Sequence, residues 1–264
     1  MTTYRSIGFE LDRGVATLTL NRPERKNALD AEMREEIAAV LQRVRASEEV
    51  RALVLTGAGG EFCSGGDIRG MSGGEISAQA GRARMLAAHA WVRPLMELDR
   101  PVIAAVDGVA YGGGLGLALA GDFLIATPRA RFCASFMRVG LVPDTGLLYS
   151  LPRAVGLQRA KELIFSAREL DAARAYEWGL VYEIVAPEAL LERARAMAAS
   201  FCDASATAFS LIKSALSRSF DLDLASLLEL EAAGQGIAFS SDYHRNAVQR
   251  FMEKKGALFR WPGR

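Results

Sequence analysis

The sequence predicts an α/β fold followed by a helical region. Three observations carry this. Short, almost wholly apolar runs read as buried strands, amphipathic stretches between them read as helices, and strand signals nearly vanish beyond Gln158. With 264 residues, 50% of them hydrophobic and 24% charged, the chain can bury a sizeable core.

In chain order, Val15 to Leu20 (VATLTL) follows a turn at Gly14, is rich in β-branched residues and stops at Asn21-Arg22-Pro23. Asp30 can cap a helix whose Met33, Ile37, Val40, Leu41 and Val44 share one face. Ala52 to Thr56 (ALVLT) suits a strand buried on both sides and ends in a glycine-rich turn. A long helix is predicted over residues 75 to 98, then a strand at Val102 to Val106, a glycine-rich loop at Gly108 to Gly114, helical residues 115 to 120 and a strand at Phe123 to Ala126. Beyond Gln158 only Val181 to Val185 reads as strand. Helices are expected at 159–167, 171–178 (capped by Asp171 and closed by Gly179), 188–201, 205–219, 223–238 and 242–254. The organisation expected is a core over residues 1–195 carrying the active site and a helical region over 196–264. Leu211, Ile212, Leu216, Leu227, Leu228 and Leu230 of that region need burial against the core or another subunit.

Lys and Arg total 32 against 31 Asp and Glu, a formal charge of +1 that argues against a nucleic-acid binder. No window reaches the roughly 18 uninterrupted apolar residues of a membrane span. Arg5 and Glu10 interrupt the stretch where a signal peptide would need its apolar centre, so a cytoplasmic location is expected. Three cysteines without CxxC spacing and two histidines predict neither a disulfide framework nor a metal site.

Two glycine-rich segments carry the functional signal: Phe62-Cys63-Ser64-Gly65-Gly66-Asp67-Ile68, and Gly108 through Tyr111-Gly112-Gly113-Gly114-Leu115-Gly116. Each follows a buried strand. Glycine leaves the backbone N–H groups bare against a ligand, and two such groups aimed at one oxygen make an oxyanion hole. No GxxxxGK[ST] is present, and no GxGxxG closes the first strand, which argues against nucleotide phosphates.

In order along the chain, these segments resemble the crotonase, or enoyl-CoA hydratase/isomerase, superfamily. Asn21-Arg22-Pro23-Glu24-Arg25-Lys26-Asn27-Ala28-Leu29 resembles its first CoA-contacting loop, and Phe62 to Ile68 its first oxyanion segment. Arg100 to Gly108 with Gly112-Gly113-Gly114 resembles the second, and Phe251-Met252-Glu253-Lys254-Lys255 its C-terminal signature. The resemblance implies a crotonase-like spiral of ββα units with a C-terminal helical trimerisation region, assembled as a homotrimer or homohexamer. It implies an acyl-CoA thioester substrate, so that coenzyme A arrives with the substrate and no separate cofactor is needed. The thioester oxygen would take hydrogen bonds from the Gly66 and Gly113 N–H groups. Ser64, Asp67 and Ile68 would line the CoA path opposite Lys26 and Ala28, with Phe136 at the acyl group. Phe251 and Lys254 would reach CoA, often across a subunit boundary.

Hydratases of the superfamily use two glutamates, and this chain has Gly116 and Phe136 at the corresponding positions. The Pro143-Asp144-Thr145-Gly146 stretch resembles instead the loop of members that shift double bonds, which implies Asp144 as the proton-transferring carboxylate; one such group suffices, because it can take a proton at one carbon and return it at another. The competing role for Asp144 is a helix cap or turn residue. His89 falls where the 4-chlorobenzoyl-CoA dehalogenases of the superfamily carry a catalytic histidine, so a reading with Asp144 as nucleophile and His89 assisting hydrolysis stays open, as do hydration by an untypical base and a non-catalytic CoA-ester binder. Trp91 and Trp178, at helical spacing among apolar neighbours, read as structural.

Overall fold

In the computed structural model, which describes residues 4–67 and 77–263, an antiparallel hairpin opens the chain. Strand β1 (Ile7–Asp12) turns through Arg13 and Gly14, at φ 45° and 86°, into β2 (Val15–Leu20). β1 was not expected from the sequence; it lies at the sheet edge and its burial fades from Ile7 to Asp12, so its apolar pattern is weak. Helix α1 (Ala31–Ala46) follows, with Asp30 accepting from the Met33 N–H at 2.9 Å and the expected Met33, Ile37, Val40, Leu41 and Val44 buried. Next come β3 (Ala52–Gly57), α2 (Ala78–Met96), β4 (Val102–Val106), β5 (Val109–Tyr111), α3 (Gly113–Leu119), β6 (Phe123–Ala126) and β7 (Arg131–Cys133). Then follow α4 (Leu147–Val155), α5 (Leu157–Ser166), β8 (Glu169–Asp171), α6 (Ala172–Glu177), β9 (Glu183–Ile184), α7 (Leu190–Ser200), α8 (Ala206–Arg218), α9 (Leu224–Phe239) and α10 (Asp242–Met252).

Two sheets organise these elements. The larger has the order β1-β2-β3-β4-β6-β9 and is parallel throughout except for β1. The smaller, β5-β7-β8, continues as single parallel bridges from Ala110 to Cys63 and from Gly66 to Leu29. The turns that start with β2, β3, β4 and β6 each give a strand to the large sheet and then a shorter extended piece to the small one before the next helix. This is the expected spiral of ββα units.

The large sheet is buried on both faces, as parallel strands covered by crossovers are. Leu53 and Leu55 of β3 and Val102, Ala104 and Val106 of β4 pack with α1 in one core. The alternate residues Ala52, Val54, Ile103 and Ala105 pack against Leu190, Ala194, Met197 and Ala198 of α7 in a second. The boundary expected at residue 195 therefore falls inside α7, which belongs to the core. The helices that stand apart are α8 to α10, in which no residue is buried. Among the described residues no helix is long and apolar enough to cross a membrane.

Candidate active site

The loop from Arg22 to Leu29 is folded by its own side chains. Asn27 is fully buried at φ 54°; its Oδ1 accepts from the Arg22 N–H at 2.8 Å, and its Nδ2 donates to the carbonyls of Ala58 and Glu61 at 2.9 and 2.6 Å. Arg22 in turn pairs with Asp30 at 2.9 Å and Asp67 at 3.5 Å. This loop is laced to the first glycine-rich segment by Ser64 N–H to Lys26 O (2.9 Å), Leu29 N–H to Gly65 O (2.8 Å) and Asp67 N–H to Leu29 O (3.2 Å). Because successive residues of an extended chain point their amides to opposite edges, the bonds of Gly65 and Asp67 to Leu29 turn the Gly66 N–H to the other side.

The second segment is pressed against the first. A Cβ on Gly65 would stand 2.7 Å from the Tyr111 carbonyl oxygen and 3.4 Å from the Gly113 nitrogen, and one on Gly114 would overlap the Cys63 carbonyl oxygen. Only glycine allows this approach. Gly112, at φ 52°, turns the chain into α3, and Gly113 is the first residue of that helix, so its N–H is one of the donors without an intrahelical acceptor.

A cleft with a cavity of about 80 Å³ opens where these segments meet, and Ser64, Gly66, Gly113, Phe136 and Asp144 all line it. Asp144 belongs to a tight turn in which Thr145 (φ 54°) and Gly146 (φ 75°) are both left-handed. A β-branched residue there is a backbone outlier held by its surroundings. Thr145 Oγ1 donates to Asp144 Oδ1 at 2.8 Å. The N-cap of α4 is Gly146, so Asp144 does not serve as that helix's cap. Its carboxylate lies close to the second glycine segment instead: a Cβ on Gly113 would come within 3.3 Å of Asp144 Oδ1 and 3.0 Å of Thr145 Oγ1. A Cβ on Gly116 would meet the Thr145 carbonyl oxygen at 2.7 Å.

Several expected residues lie elsewhere. His89 is exposed and lines a different cleft of about 370 Å³ with Met96, Tyr149 and Asp221. The cause is helical geometry: Met85, Ala88 and Trp91 recur every third residue along the face of α2 that meets the Asp144 cleft, and His89 is about 200° around the axis from Trp91. Lys26 pairs with Glu61 at 2.9 Å, Ala28 is buried, and Asp67 lines a neighbouring cavity. Phe251, 79% exposed, and Lys254 sit beyond this cleft at the end of α10. Ile68 lies outside the described residues.

Sequence reasoning missed Arg34 and gave Trp91 only a packing role, yet both line the cleft. Arg34 Nη2 donates to Leu29 O at 3.0 Å. Burial lowers its pKa, Arg84 adds to this, and the charges of Asp144 and Asp30 oppose it. Nothing in a single arginine of an amphipathic helix marks it in advance.

Residues 10–262 match the family model described as enoyl-CoA hydratase/isomerase. The chain is 37% identical to 1,2-epoxyphenylacetyl-CoA isomerase of Escherichia coli (strain K12), over 94% of this chain and 96% of that protein. It is 35% identical to a short-chain-enoyl-CoA hydratase of Clostridium acetobutylicum, over 93% and 94%. Among solved structures, an enoyl-CoA hydratase/isomerase from Cupriavidus metallidurans CH34 superposes with a TM-score of 0.93 at 42% identity over the whole of both chains. With its ββα spiral and its two apposed glycine segments, the chain belongs to the enoyl-CoA hydratase/isomerase family.

Proposed function

We propose that this protein moves a double bond within an enoyl-CoA thioester, with Asp144 as the proton-transferring base and the Gly66 and Gly113 N–H groups as the oxyanion hole. The observation that carries the reading is the placement of the Asp144 carboxylate against Gly113, in the cleft that both glycines line. Asp144 takes a proton from an acyl carbon, and the electron pair moves through the conjugated system to the thioester oxygen. The two N–H groups bind the resulting enolate, each contributing about 3 kcal/mol to the barrier reduction. The same carboxyl group then returns the proton at another carbon, so the product has the substrate's atoms. The crowding at Gly116 supports isomerisation over two-glutamate hydration, since a side chain there would have to displace the Asp144–Thr145 backbone. The isomerase named among the relatives supports the same assignment.

Lys26, Ala28, Ser64, Asp67 and Ile68 would follow the CoA moiety, and Phe136 would pack on the acyl group. Coenzyme A arrives as part of the substrate. Phe251 and Lys254 would act on a neighbouring subunit's site, in a homotrimer or a hexamer of two trimers joined through α8 to α10. Dehalogenation would need His89 beside Asp144, and His89 opens on the other cleft.

The test is incubation in heavy water with enoyl-CoA and phenylacetyl-CoA thioesters, followed by mass spectrometry. Deuterium at the α or γ carbon without added water is expected, and Asp144→Asn should slow turnover by about 10²- to 10⁴-fold with CoA-ester affinity preserved. Water addition that survives in Asp144→Asn would overturn the assignment in favour of hydration, the activity carried in the name of the Clostridium acetobutylicum relative.

A further inference from the structure

The rungs that join the two glycine segments are backbone bonds except at one end. Cys63 N–H donates to the Val109 carbonyl at 2.8 Å and Tyr111 N–H to the Cys63 carbonyl at 3.0 Å, the alternation of a parallel pair. One step earlier, that alternation calls for the Val109 N–H to meet the Glu61 carbonyl. That carbonyl is turned to Asn27 Nδ2, at 2.6 Å, and the Val109 N–H donates instead to the Glu61 side chain, at 2.7 Å from Oε2. A carboxylate therefore supplies a rung that the backbone supplies elsewhere. Gly108 leaves room for it, since a Cβ there would come within 2.2 Å of Glu61 Oε2.

The other carboxylate oxygen reaches the third segment of the site. Glu61 Oε1 stands 2.9 Å from Lys26 Nζ, and the Lys26 carbonyl accepts from the Ser64 N–H at 2.9 Å. One side chain thus joins the Arg22 to Leu29 loop and both glycine segments, and it lies outside the cleft wall that the described residues form. The Lys26 side chain is 59% exposed, so the ion pair by itself contributes little. The bond to Val109 is the one that fixes the second segment, four residues before Gly113.

We propose that Glu61 is a positioning residue: through its bond to the Val109 N–H it sets the Gly113 N–H against the Gly66 N–H. A reacting group misplaced by about 1 Å costs about 100-fold in rate, so a rung this near the hole bears on the chemistry. Between Val109 and Gly113 the chain is also held by the Tyr111 rung and by Gly112 N–H to the Cys133 carbonyl at 2.8 Å. Loss of the Glu61 rung should therefore loosen the segment without unfolding it. The loss should appear in the rate and not in affinity for the ground-state ester, because the hole binds most strongly the charge that develops during reaction. This inference rests on the oxyanion-hole reading above, but not on which bond is rearranged there.

Infrared difference spectroscopy of hexanoyl-CoA, isotope-labelled at the thioester carbonyl, reads the hole itself, because hydrogen bonds to that oxygen lower its stretching frequency. On the wild-type protein the band should fall below that of the free ester. Glu61→Ala should return about half or more of that shift and slow deuterium uptake in the heavy-water assay about tenfold, with Kd for hexanoyl-CoA within about threefold. Glu61→Gln keeps an acceptor for the Val109 N–H and should restore the band, with a rate within about threefold of wild type. A purely structural role would lower the melting temperature of Glu61→Ala and leave its band and its rate per folded molecule unchanged. That result, or a Gln variant as impaired as the Ala variant, would overturn the proposal. If Glu61→Ala does not fold, Glu61→Asp takes its place: it keeps the charge but is one methylene shorter, and it should lose part of the shift that Glu61→Gln retains. A wild-type band that binding leaves unmoved would overturn the oxyanion hole and this inference with it, whereas a normal shift in both wild type and Glu61→Ala would overturn this inference alone.

Discussion

Two neighbouring glycines separate structure from chemistry. Gly114→Ala would drive a methyl group into the Cys63 carbonyl, where both partners are backbone, so the loops must part. A loss of about 2–4 kcal/mol is expected, read as a lowered melting temperature. Gly113→Ala places its methyl 3.0 Å from Thr145 Oγ1 and 3.3 Å from Asp144 Oδ1, which are side-chain atoms that can yield. The fold should persist, and kcat should fall about 10- to 100-fold as the carboxylate is displaced; equal activity in the two folded proteins would contradict the placement of Asp144. A third residue, Asp107, sits just before the second segment and accepts from the Gly108 N–H (3.0 Å), Thr127 Oγ1 (2.7 Å) and Arg129. Burial alone would raise its pKa, but the hydrogen bonds from Arg129 and Thr127 and the Arg129 charge outweigh it and hold the carboxyl below the usual range. A lowered folded pKa means that the stabilisation is present above about pH 4, the unfolded value, and is lost as pH falls through the folded one. Asp107→Asn should therefore lower the melting temperature at pH 7 and flatten its fall between about pH 5 and 3, measured by thermal scans across that range.

At the scale of elements, an ion pair helps to fasten α8 to the core. Lys213 Nζ stands 2.8 Å from Asp122 Oδ2, which also accepts from the Val102 N–H at 2.8 Å, and Lys213 reaches the Arg100 carbonyl at 3.3 Å. Burial raises the Asp122 pKa against the pull of Lys213, so the carboxylate depends on its cation. Lys213→Met alone should cost about 3 kcal/mol in urea unfolding, and adding Asp122→Asn should recover much of it; strictly additive losses would show the pair to be uncoupled. The elements legible in the sequence were those whose pattern is long or strongly apolar, such as β2, β3, β4 and the Asp30-capped α1. Strands β5, β7 and β8, each of three residues, are too short to show a period, and they exist because the turns of the spiral bring them side by side. The site divides in the same way. Glycines and the Pro-Asp turn announce backbone demands in the sequence, whereas Arg34, Trp91 and the misplaced His89 differ only in which way a helical residue faces.

The whole molecule carries an apolar surface that its own chain leaves uncovered. In α8 to α10, Leu216 is 64% exposed, Leu224 72%, Phe239 59% and Met252 75%. Scattered exposed leucines need no explanation, but such residues repeated along three consecutive helices exceed what monomers leave open. The same region holds Phe251 and Lys254, which line no part of the cleft in their own chain. The association proposed above, in which copies meet through these helices and the end of α10 reaches a neighbour's site, would account for both facts. Light scattering should then give a mass several times the 28.5 kDa of one chain. Replacing Leu216 and Leu228 by Glu would place charges in the buried contact and should shift the mass toward one subunit. Activity should fall with the mass, chiefly as a raised KM for the CoA ester, if the neighbouring subunit contributes binding contacts and not chemistry. A wild-type mass near one subunit, or a dissociated variant with unchanged KM, would show instead that each chain carries a complete site and that the exposed helices serve another purpose.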